Sequence, residues 1–476
     1  MNTIQRIAKN TSVLLISRIA SYILRFFYMM YTARYLGAEE FGILSFALAF
    51  TGIFGIFTDI GLNILTTREV SRDRSLATKY LGNIVVMKVI LVVITFGLIA
   101  LTVNLLGYPQ QTISIVYLIA LSVIFNAFSQ TFYPIFQAYE KMEYQSSGEI
   151  LNSVLMLIGV LFAISYGFDV VAFASIYFIV SAIVFGYSFF VCVWKFVLPK
   201  IEINLSFWKP MIKEALLFGL GGIFVTIYFW IDSVMLSLMI GNKAVGLYNA
   251  PYRLIMALLF IPSALIMSIF PVMSKHFKFE EDLLKQEYKT AFKYLFIIAI
   301  FLFIYGLIFA DKIILIIYGN GYMPSIKALR VLIWVIPIIF LTSLLGNFLF
   351  ATNKQRIVTG VAGANVVLNV FLNILLIPKF SYIGASIATV LTEGLGFILM
   401  FGYISRYFFR ISITQNIIKP ICSAAFVAIL VYFLKQYLNW VLVGLLGILI
   451  YPLVLYVVHI ITKDDVNLIK QIFQKR

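Results

Sequence analysis

Cysteine and histidine are nearly absent from this chain of 476 residues, with two of each. Cys192 and Cys422 lie in apolar runs, which leaves no disulfide framework and no CxxC pair to hold a metal. His276 and His459 fall near the ends of apolar runs, where a solvated or interfacial imidazole is expected. Charge is scarce too: 12% of residues are Asp, Glu, Lys or Arg, against about 25% in soluble domains. The N-terminus has no short apolar segment followed by a small-residue cleavage site, so its first apolar helix is expected to be retained.

What is present is apolar. Hydrophobic residues make up 62% of the chain and mean hydropathy is +1.01, the composition of an all-α polytopic membrane protein. The net charge of +16 is spread along the whole chain with no polar basic domain, so nucleic acid is not an expected partner. A span needs about 20 mostly apolar residues. That ruler picks out fourteen segments: 12–36, 41–65, 82–106, 112–135, 148–166, 169–194, 213–240, 246–274, 290–310, 327–351, 356–377, 382–405, 414–434 and 439–461.

Lys and Arg set the orientation, because cytoplasmic connections collect them. With the N-terminus inside, the inner segments hold 25 of the 36 basic residues and the alternation holds at every step. Both termini are therefore expected in the cytoplasm, in a cell or inner membrane. The longest outer connection, residues 311–327, has one acidic residue and no histidine or cysteine. No catalytic constellation is present, so the chain reads as a non-enzyme without a metal or cofactor.

An internal repeat organises the spans. LGAEEFGILS (36–45) returns 204 residues later as IGNKAVGLYN (240–249), with Gly37 matching Gly241 and Gly42 matching Gly246. Its placement at the first outer hairpin of spans 1–6 and of spans 7–12 suggests two pseudo-symmetric six-helix lobes in parallel repeat. The expected organisation is an N-lobe over 1–194, a cytoplasmic linker over 195–212 and a C-lobe over 213–405. Spans 13 and 14 (406–461) form an appended pair, followed by a cytoplasmic tail over 462–476. Two lobes can enclose a cavity within one chain, so a monomer among membrane lipids is expected. The linker contains an amphipathic IEINL stretch, and GLGGIF (219–224) inside a span reads as close helix packing or a kink.

A charge at mid-bilayer costs at least ~2.5–3.5 kcal/mol on insertion scales, so interior ionisable residues face a wet cavity or a partner. Arg18 and Arg25 are seven residues apart, on one helix face and roughly 10 Å apart along the axis. Lys88 and Arg253 also lie inside predicted spans, as do Asp59, Asp232 and Glu393. Mutual pairing, such as Arg18 with Asp59, is one account. The other is an aqueous cavity whose surplus cations hold an anion, and phosphate suits the planar donors of arginine. Pro251, Pro262 and Pro271 predict a hinged helix around Arg253. Asn365, Asn369 and Asn373 form one polar stripe, serving either hydrogen bonds between helices or contact with sugar hydroxyls.

YTARYLGAEEFGILSFALAF (31–50) followed by DIGLNILTTREVSRD (59–73) resembles the opening of the Wzx-type polysaccharide flippases of the multidrug/oligosaccharidyl-lipid/polysaccharide exporter superfamily. The likeness continues less sharply through 231–254. It implies a V-shaped pair of bundles around a central cationic cavity that opens alternately to either side. The substrate it implies is a polyprenyl-diphosphate-linked oligosaccharide, carried from inner to outer leaflet with its diphosphate on Arg18, Arg25 and Arg253 and its prenyl tail in lipid. Arg68, Glu69, Arg72 and Asp73 then form a salt-bridge cluster at an inner gate, or else a solvated face. Asp59, Asp232 or Glu393 would couple transport to H⁺ or Na⁺ or serve as charge partners, with the membrane potential as another drive. A lipid II-type flippase and a cation-coupled small-molecule exporter of the same superfamily are the competing readings.

Overall fold

A computed structural model describes residues 3–409 and 417–461. The predicted tail and residues 410–416, including the start of span 13, lie outside the described residues. Sixteen α-helices and no strands occur among the described residues. They are α1 (Thr3–Phe54), α2 (Leu62–Arg72), α3 (Ala77–Leu105), α4 (Gln110–Ala138), α5 (Met142–Ser165), α6 (Val170–Lys195), α7 (Leu205–Met239) and α8 (Asn242–Ala257). These are followed by α9 (Phe260–Phe279), α10 (Glu281–Ile308), α11 (Ala310–Tyr318), α12 (Ser325–Leu332), α13 (Val335–Ala351), α14 (Gln355–Tyr407), α15 (Lys419–Leu434) and α16 (Trp440–Val457). Ten helical runs are long and apolar enough to cross a membrane, and the bent pair α12 and α13 adds another, among the described residues. Two of these runs hold two predicted spans each, because α1 turns at Gly37 and α14 turns at Ser381. The chain is a multi-pass membrane protein.

Two predicted spans are not continuous helices. Span 2 ends as a helix at Phe54, runs through one 3-10 turn at Gly55–Thr58 and breaks before α2. The cause is local: Gly61 adopts φ 99°, and a Cβ there would fall inside the carbonyl of Ala215 on α7. Span 8 breaks between α8 and α9, at Leu258 and Leu259. The Pro262 ring excludes the carbonyl four residues before it, that of Leu258, and the backbone answers with tighter bonds from Leu258 N–H to the Ile255 carbonyl and Leu259 N–H to the Met256 carbonyl. The helix is thus broken on the C-terminal side of Arg253, between Arg253 and Pro262.

The chain divides into two compact units. The first comprises Met1–Phe260, Ile317–Ser325 and Ala362–Ala388; the second comprises Ile261–Ile316, Ile326–Val361 and Thr389–Arg476. Within the first unit the sequence repeat has a geometric meaning. Gly37 and Gly241 both have positive φ, 73° and 117°, and each starts a helical segment. One turn later the two segments cross backbone to backbone: a Cβ at Gly42 would enter the Asn242 carbonyl, and a Cβ at Gly246 would enter the Ala38 carbonyl. The contact is reciprocal, as the repeat demands. Small residues let membrane helices approach this closely, and dispersion contact then replaces the missing hydrophobic drive.

A second close approach lies where α2 meets α7. Gly219, the first glycine of GLGGIF, packs against the Ile60 carbonyl, while α7 continues unbroken through the motif. Close packing is therefore its role, and a kink is not. The linker before α7 contains no helix over 197–204, so the IEINL stretch is non-helical up to Asn204, with Ile201 and Ile203 exposed. It is pinned to α3 by Asn83, whose Oδ1 accepts from Asn204 N–H at 3.2 Å and from Trp208 Nε1 at 2.8 Å.

In the second unit, α10 carries the contacts that hold α16. The Tyr305 hydroxyl donates to the Gly444 carbonyl at 3.1 Å, and the Tyr451 hydroxyl donates to the Ile297 carbonyl at 3.2 Å. His276 differs from the solvated expectation: its Nδ1 lies 2.8 Å from the Glu287 carboxylate and the side chain is largely covered.

Candidate functional site

The first unit contains a cavity at membrane depth, built on α1, α2, α4, α5, α6 and α7. It has two connected chambers of about 760 and 660 Å³. Arg25, Ile64, Asn126, Gln130 and Asn152 line both, so these five residues mark the junction.

Arg25 is the cation at that junction. The residue is exposed, and it interacts electrostatically with Tyr22, Tyr28 and Tyr177. Tyr28 and Tyr177 line the smaller chamber, and Arg253 interacts with the same group. The Arg253 guanidinium packs 4.8 Å above the Trp230 ring, a cation–π contact, and its Nε and Nη2 are buried without an acceptor among the described residues. Two guanidinium groups thus share one tyrosine-lined corner.

The other predicted cations are placed differently. Arg18 is exposed, lines neither chamber and forms no ion pair with Asp59 among the described residues. Lys88 is fully buried behind the wall, donating to Asn63 Oδ1 at 3.3 Å and to the Ala127 carbonyl at 3.1 Å. Lys88 thereby fixes Asn63, which faces the larger chamber. Replacing Lys88 with methionine is expected to keep the volume, remove the donor from Asn63 Oδ1 while the Ala127 carbonyl keeps the Thr131 hydroxyl, and destabilise the protein by about 1–3 kcal/mol, read as a lower melting temperature of the purified protein.

The acidic residues also separate into roles. Asp59 lines the smaller chamber and its Oδ1 accepts from the Asn63 N–H at 3.2 Å, satisfying an otherwise free donor in the first turn of α2. Asp232 is buried, accepting from the Tyr248 hydroxyl and from Asn373 Nδ2, both at 2.6 Å. Asn373 also donates to Asn369 Oδ1 at 3.0 Å, so the asparagine stripe of α14 bonds α7 and itself. Asn365, Asn369 and Asn373 line neither chamber. Glu393 is buried in the second unit.

The predicted cluster after span 2 is a bridged network. Arg68 lines the larger chamber and reaches Glu69 at 2.7 Å and Glu214 of α7 at 2.6 Å, and Arg72 lies 3.3 Å from Glu69. Asp73 stands apart, capping the turn at Arg74–Leu76: the Ser75 hydroxyl and N–H hold its carboxyl below the usual range. Sequence reasoning missed Glu214, Tyr28, Tyr177 and the amides of α4 and α5. Helical spacing could have found the last: Asn126 and Gln130 on α4, and Gln145, Glu149 and Asn152 on α5, each repeat on one face.

Residues 7–277 match the family described as "Polysaccharide biosynthesis protein", more than half of the chain and the whole of this cavity. The chain belongs to that family. Residues 219–375 also match the MatE family, so this polysaccharide biosynthesis protein is a member of the multidrug/oligosaccharidyl-lipid/polysaccharide exporter superfamily. It is 24% identical over 413 residues to the "Probable low-salt glycan biosynthesis flippase Agl15" of Haloferax volcanii, covering 84% of each chain. It is 22% identical over 411 residues to the "Capsular polysaccharide biosynthesis protein CapF" of Staphylococcus aureus, covering 84% of this chain and all of that one. In fold it is similar to the lipid II flippase MurJ in an inward closed conformation, with a TM-score of 0.78 at 15% identity over 93% of this chain and 97% of that one. An inward-facing multidrug transporter of the superfamily gives 0.63 at 17% identity, over 82% and 95%. This polysaccharide biosynthesis protein is thus a transporter of the flippase class with the all-helical fold of that superfamily.

Proposed function

We propose that the protein translocates a polyprenyl-diphosphate-linked oligosaccharide from the cytoplasmic to the outer leaflet, by alternating access through the cavity at Arg25. The carrying observation is the corner where exposed Arg25 adjoins Arg253, whose Nε and Nη2 are buried with no acceptor among the described residues. A diphosphate supplies acceptors for both forks, and burial of unsatisfied cations is otherwise unfavourable. Both termini lie in the cytoplasm, the protein acts as a monomer and the prenyl tail stays in lipid. The bridge from Arg68 to Glu214 holds the inner side shut, and its release by substrate opens the cavity. Asp232 within its Tyr248 and Asn373 bonds is the leading residue for coupling to H⁺ or Na⁺. The exposed guanidinium at the junction favours an anionic cargo over the cationic cargo of a drug exporter.

The test is a leaflet assay in sealed proteoliposomes with a fluorescent polyprenyl-diphosphate oligosaccharide. Wild type is expected to move the probe between leaflets faster than protein-free vesicles do. Equal rates with folded protein present would contradict the reading.

A further inference from the structure

Three amides at the chamber junction have no assigned purpose. Asn126 and Gln130 sit one turn apart on α4, and Asn152 faces the same space from α5. None of the three side chains makes a hydrogen bond among the described residues, whereas nearby amides do. Gln137 accepts from Thr67 and donates to Gln145, and Gln145 donates to Glu149 at 2.9 Å. The cavity wall therefore has a bonded half that is fixed and an unbonded half beside Arg25.

From this contrast we infer that Asn126, Gln130 and Asn152 are the sugar-reading subsite, engaging the hydroxyl and N-acetyl groups of the sugar next to the diphosphate. The inference rests on the proposed function and assigns the neutral part of the same site. Each amide offers two donors and an acceptor, matching hydroxyls that both donate and accept, and carries no charge to compete with the phosphate for Arg25. Free amides are costly against hydrocarbon, so a prenyl chain is a poor occupant for this wall and a polar uncharged group is a good one. Carboxylates are few here, and Glu149 is already engaged by Gln145. Adjacency of the amides to Arg25 places the contacted sugar first after the diphosphate.

The experiment compares binding of two probes to the full-length protein in lipid nanodiscs: a polyprenyl diphosphate without sugar, and the same lipid carrying one N-acetylglucosamine. Wild type is expected to favour the glycosylated probe by at least ~10-fold, since several neutral hydrogen bonds are at stake. The near-isosteric triple variant Asn126→Leu, Gln130→Met, Asn152→Leu is expected to bring the ratio close to one and leave the bare diphosphate unchanged. Gln130→Met alone, at an exposed side chain and so without risk to the fold, is expected to lower the ratio about three- to tenfold. An unchanged ratio in the single variant and in the folded triple variant overturns the subsite while leaving the flippase reading intact. A parallel loss for both probes also overturns it, since the amides would then serve the diphosphate. Arg25→Ala serves as the second readout: if it fails to weaken the bare probe, or if wild type binds neither probe, the parent reading fails and the subsite with it.

Discussion

Arg25→Ala is expected to weaken binding of a short polyprenyl diphosphate by roughly 10- to 100-fold, the loss of one charge-assisted hydrogen bond or a little more. The melting temperature should barely move, because the residue is exposed and forms no ion pair with a carboxylate among the described residues. Arg25→Lys should fall between the two proteins. It keeps the charge and loses the planar fork that meets two phosphate oxygens at once. Titration of the purified variants in detergent or nanodiscs, with a melting curve for each, separates this outcome from a structural role. A structural arginine would lower stability and abundance in the same measure as binding.

The second large effect concerns the crossing of α1 and α8. Gly246→Ala is expected to destabilise the protein by about 2 kcal/mol or more, because the added methyl meets the Ala38 backbone and no flexible side chain can yield. Gly42→Ala should do the same against Asn242. The double variant should cost little more than the worse single one, since a single separation of the helices accommodates both methyls and the effects are coupled. Gly97→Ala, where the new methyl meets nothing within 4 Å, is the control expected to leave the melting temperature unchanged. Additive losses in the double variant would show that the two glycines do not share one contact.

The helical architecture was largely legible because hydropathy acts over whole spans, and each of the fourteen predicted segments falls on described helix over most of its length. The repeat was legible for a sharper reason. Gly37 and Gly241 are required by positive φ and Gly42 and Gly246 by carbonyl contact, so a short sequence match reported real geometry. The break at Asp59–Gly61 was not visible, since a 20-residue window averages over a single left-handed glycine. Charge alone singled out Arg25 and Asp59, which line the smaller chamber, and Arg18 and Lys88, which do not, because spacing along one helix does not say which neighbour covers it. The amide wall escaped notice for a related reason. Asn126 and Gln130 share one face of α4 and Asn152 lies on the polar face of α5, which helical spacing shows, but spacing within each helix does not show that the two faces meet in one space.

If the chambers around Arg25 form an aqueous site for the diphosphate-linked glycan, a thiol on their wall reacts from water and is protected by the glycolipid. Ile64 offers a direct probe: it lines both chambers and is 55% exposed although apolar. With the exposed Cys422 replaced by serine and Cys192 buried, Ile64→Cys provides the one accessible thiol among the described residues. The rate of its modification by a water-soluble, membrane-impermeant maleimide is measured with and without a polyprenyl-diphosphate oligosaccharide. Rapid labelling that the glycolipid slows is the predicted result; a thiol that stays unlabelled in folded protein, or labels at the same rate with saturating glycolipid, would contradict it.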